Sequence, residues 1–314
     1  QKKLIRFTQY INQIFSDFII PLFSKGELKT PYVKGRQITD RILKEIKEAK
    51  NKKIFVWGHY MDLHDPYIPL LKYRKKYGLN LAKIQIKKLN KIVSVKKKDK
   101  KFLKSLSEEE LKKIKKLYDA SANYVDDEIK RLYSNIDDRE DFVFIVTADH
   151  GEEFLEHGNL GHLAKFYNEL LHIPFVVFGK NIKPKVNHNL HCSLDIFPTI
   201  MALIKSSLPK GIRGRSIFFE RGYKYIISES GHNVKRMPLF KHIIRRKKDE
   251  EKEFKTYSCF DGRYKYIVDR QYGNQFYDLK KDKEEKRNLL FKDNKSKKFN
   301  KILKKHIAEI EKSE

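Results

Sequence analysis

A continuous run of β-branched and aromatic residues, Phe142–Val146, constrains the fold of this chain more than any other feature. Such a run is typical of a strand buried on both faces, as in a parallel sheet covered by helices. The run leads into Asp149-His150-Gly151. Open α/β sheets bind their ligands at the carboxyl ends of their strands. The segment therefore predicts both an α/β fold and the position of a site.

Helical and strand-like segments alternate along the rest of the first two-thirds, which favours the α/β class. An amphipathic helical run is predicted before Pro31, and a second one over Ile38–Ala49. Ser107, followed at capping-box spacing by a glutamate, predicts the start of a long helix. Lys53–Trp57 and Ile173–Gly179 each predict a further strand, the first of them buried.

The sequence pattern changes at about residue 220, where short segments of alternating or aromatic residues, typical of strands, follow one another. They predict a small antiparallel sheet, and apolar spacing over Leu303–Ile310 predicts a terminal amphipathic helix. We therefore predict an α/β domain over residues 1–219 and a smaller lobe over residues 220–314. The predicted strands of the lobe are Tyr223–Ser228, Thr256–Phe260, Tyr264–Val268 and Gln275–Leu279.

The charge balance is strongly basic, with 69 Lys and Arg against 41 Asp and Glu and a formal net charge of +28. Such a charge suits an anionic substrate or a polyanionic surface, although lysines that cover solvated faces would give the same balance. Residues 83–104 are lysine-dense and are interpreted as a solvated insertion with little internal structure. The runs Lys96–Lys101 and Arg245–Lys248 lack the interleaved aromatic residues of a base-stacking platform, so no specific nucleic-acid partner is expected.

Two cysteines, Cys192 and Cys259, lie far apart in the sequence. They argue against a disulfide scaffold or a zinc-thiolate site, and so few cysteines favour the cytoplasm without fixing the compartment. The apolar stretch Ile11–Phe23 is interrupted by polar residues and is too short to span a bilayer. No transmembrane segment is therefore predicted in this chain.

Two groups of residues could carry chemistry. Asp149 and His150 could offer a carboxylate oxygen and an imidazole nitrogen to one divalent cation, or Asp149 could simply cap a helix. His59, Asp62 and His64 form an earlier loop, in which a histidine could stabilise charge or give a proton to a leaving group. A histidine that only satisfies loop contacts is the alternative for the second group.

Several ordered blocks of sequence resemble the sulfatase family of the alkaline phosphatase superfamily. The likeness covers roughly residues 40–290. Its most diagnostic block runs from Thr147 to Gly158 and continues through Gly161-His162 and Glu169–Pro174. The other blocks are Phe55–Tyr67, Leu117–Asp126, Asp195–Thr199, Gly214–Ser216 and Tyr277–Leu289, with Lys283 where proline is usual.

The resemblance implies a doubly wound, mostly parallel sheet with a small C-terminal antiparallel lobe, and one divalent cation. That cation is usually Ca²⁺, and in some relatives Mn²⁺. Carried over by position, Asp149 and His150 would be metal ligands and His64 would contact the transferred group or the leaving-group oxygen. His162 occupies the place of a catalytic lysine or histidine, and it fits that place better than nearby Lys165 does.

One departure from the family pattern concerns the nucleophile. The family has a strand ending in paired aspartates and a Cys/Ser-x-Pro/Ala-x-Arg loop, and neither is found here. Cys259–Arg263 resembles that loop, but its third residue is aspartate and it lies among the predicted strands of the lobe, so we interpret the match as coincidence. The chain is then either a fragment of a longer protein, which we favour, or a natural short form without catalysis, and in both cases we expect no turnover from it alone.

For the intact protein the resemblance implies metal-dependent hydrolysis of sulfate monoesters, with an anionic sulfate or phosphate ester as the substrate. Two alternatives remain open. One is phosphoryl or phosphonate ester hydrolysis, or phospho-group transfer, in the same superfamily. The other is a polyanion-binding protein that keeps the fold without the chemistry.

Overall fold

The computed structural model describes residues 30–49, 52–94, 100–136, 142–163, 165–219, 221–230, 256–269 and 272–313. The chain divides into two compact units. Of the described residues, the first unit comprises those up to 142 together with 157–161, and the second comprises 143–156 and those from 162 onward. This division differs from the predicted domains 1–219 and 220–314, which stay a prediction.

Helices and strands alternate along the described chain. The helices are α1 (Gly35–Ala49), α2 (Leu71–Lys76), α3 (Lys83–Ser94), α4 (Lys100–Lys104), α5 (Glu108–Ser134), α6 (Asn168–Leu171), α7 (Ile196–Leu203) and α8 (Lys295–Ser313). The strands are β1 (Val143–Thr147), β2 (Glu153–Phe154), β3 (Leu160–Gly161), β4 (Phe175–Gly179), β5 (Ile226–Ser230), β6 (Thr256–Phe260), β7 (Tyr264–Val268) and β8 (Gln275–Asp278). Within the described ranges, no helix has both the length and the apolarity that a membrane crossing requires.

The capping box predicted at Ser107 starts α5. The Ser107 hydroxyl accepts from the Glu110 amide, and the Glu110 carboxylate accepts from the Ser107 amide, each at 3.2 Å. These reciprocal bonds satisfy two amides that a helix start leaves without partners. The second predicted helical run is confirmed as α1, whereas the run before Pro31 falls largely in residues 1–29, outside the described part.

The prediction of a solvated, unstructured insertion over residues 83–104 is wrong, because helices α3 and α4 occupy it. Ile86, Leu89 and Val93 recur at helical spacing and are buried, with Ile86 fully so. The lysines between them occupy the other face of the helix. A high lysine count therefore concealed an amphipathic pattern. Most of the run Lys96–Lys101 and all of Arg245–Lys248 lie outside the described residues.

The prediction of a buried strand over Lys53–Trp57 is also wrong. No described residue pairs with this segment, and the Phe55 and Trp57 side chains are 68% and 71% exposed. An apolar run can favour extended backbone, but a strand also needs a neighbour to hydrogen-bond with. Gly58 follows close to α1, where a Cβ would lie 2.6 Å from a side-chain carbon of Ile42.

Strand β1 confirms the strand predicted over Phe142–Val146, shifted by one residue, but its environment differs from the prediction. It pairs antiparallel with β4, so that Val143 faces Gly179 and Thr147 faces Phe175. It is only half-buried, not covered on both faces. A run of apolar residues indicates a strand but not the direction of its neighbours. The ladders β1-β4, β5-β6, β6-β7 and β7-β8 are all antiparallel.

The small antiparallel sheet of the C-terminal lobe is confirmed. Its strands lie in the order β5-β6-β7-β8, each antiparallel to the next. Phe276, Phe299 and Leu303 are at most 1% exposed, so α8 packs one face into the core of this sheet. Cys259 is fully buried there, and its burial raises the pKa of the thiol to about 12. A protonated, inaccessible thiol is not a nucleophile at neutral pH, which supports coincidence for the Cys259–Arg263 match.

A buried ion pair fixes one edge of the lobe. Lys265 of β7 and Glu285 are each 1% exposed at the side chain, and the Lys265 Nζ lies 2.8 Å from Glu285 Oε1. The same Nζ donates to Asn168 Oδ1 at 2.5 Å and to the Phe166 carbonyl at 3.2 Å. Burial lowers the pKa of Lys265, and the Glu285 carboxylate opposes that effect. These bonds attach the start of α6 to the sheet.

We expect Lys265→Met to destabilise the protein by about 3–5 kcal/mol, because it leaves the Glu285 carboxylate buried without its cation. Urea unfolding followed by circular dichroism would measure the change. Lys280→Met removes an exposed lysine just after β8 and should change the free energy of unfolding by no more than about 0.5 kcal/mol. Equal unfolding midpoints for the two variants would contradict this account of the ion pair.

Candidate functional site

Asp149 and His150 follow β1 directly, where the sequence predicts a site. The His150 amide donates to Asp149 Oδ1 at 3.0 Å. The Asp149 side chain is 72% exposed and the His150 side chain is 38% exposed. The chain continues as irregular backbone to β2, so no helix begins at Asp149. The alternative interpretation of Asp149 as a helix cap is therefore wrong.

The tautomer of His150 follows from its surroundings. Its Nδ1 lies 2.8 Å from the Gly151 carbonyl, which can only accept, so Nδ1 carries the proton. The lone pair is then on Nε2, which lies 3.8 Å from Asp149 Oδ2. Metal-binding histidines usually donate their other ring N–H to such an acceptor. One carboxylate oxygen and one imidazole nitrogen thus face the same space.

Gly151 allows the backbone to turn tightly against α6. Its amide donates to the Leu170 carbonyl at 2.9 Å. A Cβ at this position would lie 2.0 Å from the Glu169 carbonyl oxygen, closer than any real contact. The site is therefore held against the helix that Lys265 anchors.

His162 lies beside His150. The two rings have centroids 4.2 Å apart and an interplanar angle of 32°. Glu152, 5% exposed, places Oε1 3.3 Å from His162 Nδ1. A carboxylate at Nδ1 favours a proton there and leaves Nε2 as the nitrogen for chemistry. Glu152 lies within the block Thr147–Gly158, for which the sequence analysis singled out only Asp149 and His150.

Lys165, the alternative to His162 for the catalytic place, is held in a buried ion pair. Its Nζ contacts both carboxylate oxygens of Glu153 at 3.2 Å, and the side chains are 7% and 0% exposed. A buried lysine paired in this way serves the local structure. This arrangement supports the preference for His162 over Lys165.

The donor chemistry of Asp149 and His150 fits a divalent cation, but it supplies only two ligands. Among the described residues, no group of three or more His, Cys, Asp or Glu side chains could hold a metal ion. The paired aspartates that the resemblance implies as further ligands stay a prediction.

His64 lies in a loop of the first unit and is contacted by three oxygens at one ring nitrogen. Its Nδ1 lies 2.8 Å from the Asp65 carbonyl oxygen, 3.0 Å from Asp65 Oδ1 and 3.0 Å from the Tyr32 hydroxyl. The Asp65 oxygens can only accept, so Nδ1 carries the proton. His59, the other histidine of this segment, is exposed.

Helix α3 fixes this loop from the side. The Ser94 hydroxyl donates to Asp65 Oδ2 at 2.8 Å. The buried Asn90 side chain binds Tyr67 twice, accepting from its amide at 2.5 Å and donating to its carbonyl at 2.9 Å. Sequence reasoning missed both residues because it interpreted their segment as unstructured. Their helical spacing with the buried Ile86 is the signal that could have found them.

The Asp62 carboxylate lies close to Gly35 at the start of α1. Its carboxylate accepts from the Gly35 amide, and a Cβ at Gly35 would lie 3.0 Å from Oδ2. Oδ2 itself is buried and has no hydrogen-bond partner among the described residues. Burial raises the pKa of Asp62 to about 6, and the Gly35 bond offsets only part of that rise.

Two family models match the chain. The model described as Sulfatase matches residues 6–206, and the model described as N-sulphoglucosamine sulphohydrolase, C-terminal, matches residues 156–313. Each covers at least half of the 314 residues. The chain belongs to the sulfatase family. The resemblance that the sequence blocks indicated is confirmed.

Individual relatives agree with the family. A Delta 4,5-hexuronate-2-O-sulfatase of Bacteroides thetaiotaomicron is 29% identical over 196 residues, which are 59% of this chain and 37% of the relative. The match thus spans about a third of that sulfatase.

Solved structures share the fold. The structure of BT4656 in complex with its substrate D-glucosamine-2-N,6-O-disulfate has a TM-score of 0.61 at 16% identity, over 87% of this chain and 69% of that one. A phosphonate monoester hydrolase of Agrobacterium radiobacter has a TM-score of 0.60 at 18% identity, over 91% and 64%. The predicted α/β fold class of the alkaline phosphatase superfamily is confirmed.

We expect Gly151→Ala to destabilise the protein by more than about 2 kcal/mol, because the added methyl overlaps the Glu169 carbonyl. Gly211→Ala is the matched control, since a Cβ there meets nothing within 4 Å although φ is +81°. It should cost about 1 kcal/mol. Thermal unfolding of both variants measures the difference, and a larger loss in Gly211→Ala would contradict the close packing at Gly151.

We expect the raised pKa of Asp62 to make the protein less stable as pH rises from about 4 to about 6. Across this window the folded protein holds a proton on Asp62 that the unfolded chain has released. Asp62→Asn keeps an acceptor for the Gly35 amide and should remove this part of the pH dependence. The difference in free energy of unfolding should reach on the order of 1 kcal/mol above pH 6, less than the full shift implies, because the carboxyl is partly solvated.

Urea unfolding at several pH values measures this effect. Asp126→Asn, an exposed change on α5, is the control and should follow the wild-type curve. A curve for Asp62→Asn parallel to that of the wild type from pH 4 to pH 7 would show that the buried carboxyl is not the cause.

Proposed function

We propose that the intact protein is a metal-dependent sulfatase that hydrolyses sulfate monoesters carried by sugars. The observation that carries this proposal is the pairing of Asp149 with His150 after β1, with Nε2 of His150 facing the carboxylate. Family membership and a relative named as a hexuronate 2-O-sulfatase support the substrate class. The net charge of +28 would attract such anionic substrates over a distance.

Each site residue has a proposed role. Asp149 and His150 would hold a divalent cation, which when bound supplies a Lewis acid that stabilises negative charge on the sulfate oxygens. His64, as an imidazolium with a proton on each ring nitrogen, would give its Nε2 proton to the ester oxygen as the S–O bond breaks, so that the alcohol leaves neutral and the ring keeps its Nδ1 proton. His162 would contact a sulfate oxygen, with its proton position set by Glu152.

The identity of the cation belongs to the same proposal. The family resemblance favours Ca²⁺, whose preferred ligands are oxygens. Mn²⁺, which likewise takes carboxylate oxygens, is the alternative that the resemblance allows. Metal analysis of the purified protein, followed by reconstitution with each ion, distinguishes the two.

A second candidate function is hydrolysis of phosphate or phosphonate esters. Its support is the multifunctional alkaline phosphatase superfamily protein PehA of Trinickia caryophylli, 29% identical over 120 residues, and the phosphonate hydrolase fold. Because the same cation and histidines would stabilise either transition state, the described residues favour neither ester chemically. Competing aryl sulfate, aryl phosphate and aryl phosphonate substrates would rank the activities.

We expect Asp149→Ala, in the protein expressed from its complete coding region, to lose bound metal and to lower kcat/KM for a sulfated disaccharide by at least about 100-fold. His64→Ala should lower kcat to a similar extent while metal content stays at the wild-type level. Asp126→Ala, an exposed change on α5, is the control for both measurements.

Three outcomes would be informative. Unchanged metal and turnover in Asp149→Ala would contradict the assigned site. Turnover of phosphonate but not sulfate esters would favour the second candidate. Retention of sulfated sugars without turnover in the wild-type protein would indicate a polyanion-binding protein.

A further inference from the structure

The His64 side chain is supported by a residue that no sequence motif includes. Tyr32 precedes α1, and its hydroxyl oxygen lies 3.0 Å from His64 Nδ1. The two rings also meet edge to face, with centroids 5.3 Å apart and an interplanar angle of 70°. Tyr32 therefore contacts both the polar atom and the ring plane of the histidine.

Two further contacts of Nδ1 come from Asp65, and their effect differs from that of the Tyr32 contact. The Asp65 carbonyl and Oδ1 can only accept, so they fix the proton on Nδ1. Both, however, belong to the residue next to His64, and they can follow the loop if it moves. Tyr32 lies 32 residues earlier in the sequence. Its contact therefore fixes the His64 ring relative to a part of the chain outside the loop.

The segment that carries Tyr32 is itself held to the same loop. The Gly35 amide, at the start of α1, donates to the Asp62 carboxylate. The Thr30 hydroxyl donates to the Tyr32 carbonyl at 2.9 Å. The stretch from Thr30 to Gly35 thus meets the His64 loop at Asp62 as well as at His64.

We propose that Tyr32 is a positioning residue for His64, acting with Asp65 to hold the imidazole in the orientation from which Nε2 gives its proton. The inference rests on the proposed function of His64. Tyr32 does not contact the substrate in this account. Its ring limits rotation of the imidazole, and its hydroxyl oxygen shares the Nδ1 proton with the Asp65 oxygens.

The test uses Tyr32→Phe, which keeps the ring, and Tyr32→Ala, which removes ring and hydroxyl together. We expect kcat for a sulfate ester to fall at least about 10-fold in Tyr32→Ala, by analogy with the loss of groups that orient metal-binding histidines, and by less, about 3-fold, in Tyr32→Phe, which keeps the ring. KM should stay within about 2-fold, because positioning acts on the transition state. Tyr133→Phe, an exposed tyrosine on α5, is the control.

A second readout does not depend on turnover. Long-range ¹H–¹⁵N spectra of the histidine side chains report which ring nitrogen of His64 carries the proton. The wild-type protein should show a sharp His64 signal with a proton on Nδ1, and Tyr32→Ala should keep that proton, which the Asp65 oxygens fix, but broaden the signal as the ring changes orientation. Tyr133→Phe should match the wild type.

The two readouts separate the possible failures. If His64→Ala abolishes turnover while both Tyr32 variants keep wild-type kcat and an unchanged His64 spectrum, the positioning role is wrong and the proposed function stands. If no sulfate ester is turned over but the His64 spectrum changes in Tyr32→Ala, the contact is real and the proposed function is wrong. A Tyr32→Phe variant as impaired as Tyr32→Ala would contradict the role given to the ring.

Discussion

The buried ammonium of Lys265 is the constraint on which the geometry of the second unit depends. A charge that is 1% exposed must have partners, and Lys265 finds them in Glu285, Asn168 and the Phe166 carbonyl. Phe166 and Asn168 lie at the start of α6, and the Leu170 carbonyl of this helix accepts from the Gly151 amide. The small sheet therefore positions the residues that follow β1, although it contributes no side chain to the candidate metal pair.

The same design recurs in the first unit with different chemistry. His64 is fixed by neutral and acidic oxygens, and α3 supports the loop through Ser94, which bonds to Asp65, and Asn90, which bonds to Tyr67. In both units the residues with proposed chemical roles lie in irregular segments, and part of their support comes from residues that the motifs do not include, such as Ser94 of α3 and Lys265 of β7. Such support is needed because a histidine that gives a proton must be held near its productive orientation.

Local rules predicted the parts of the fold that depend on neighbours in sequence. The Ser107 capping box, β6, β7 and the terminal helix needed only periodicity and capping chemistry. Pairing direction could not be predicted in this way, as the antiparallel partner of β1 shows. The motifs placed Asp149, His150 and His64 correctly on loops, but Tyr32 carries no local signal, because its role arises only when α1 folds beside the His64 loop.

Anomalous diffraction from crystals of the protein soaked in Mn²⁺ tests the central claim most directly, because it locates the ion without reference to activity. The account predicts an anomalous peak about 2.0–2.3 Å from both an Asp149 carboxylate oxygen and His150 Nε2, with His150 Nδ1 still bonded to the Gly151 carbonyl. A His150 ring whose Nε2 faces away from Asp149, or a peak bound elsewhere in the chain, would contradict it.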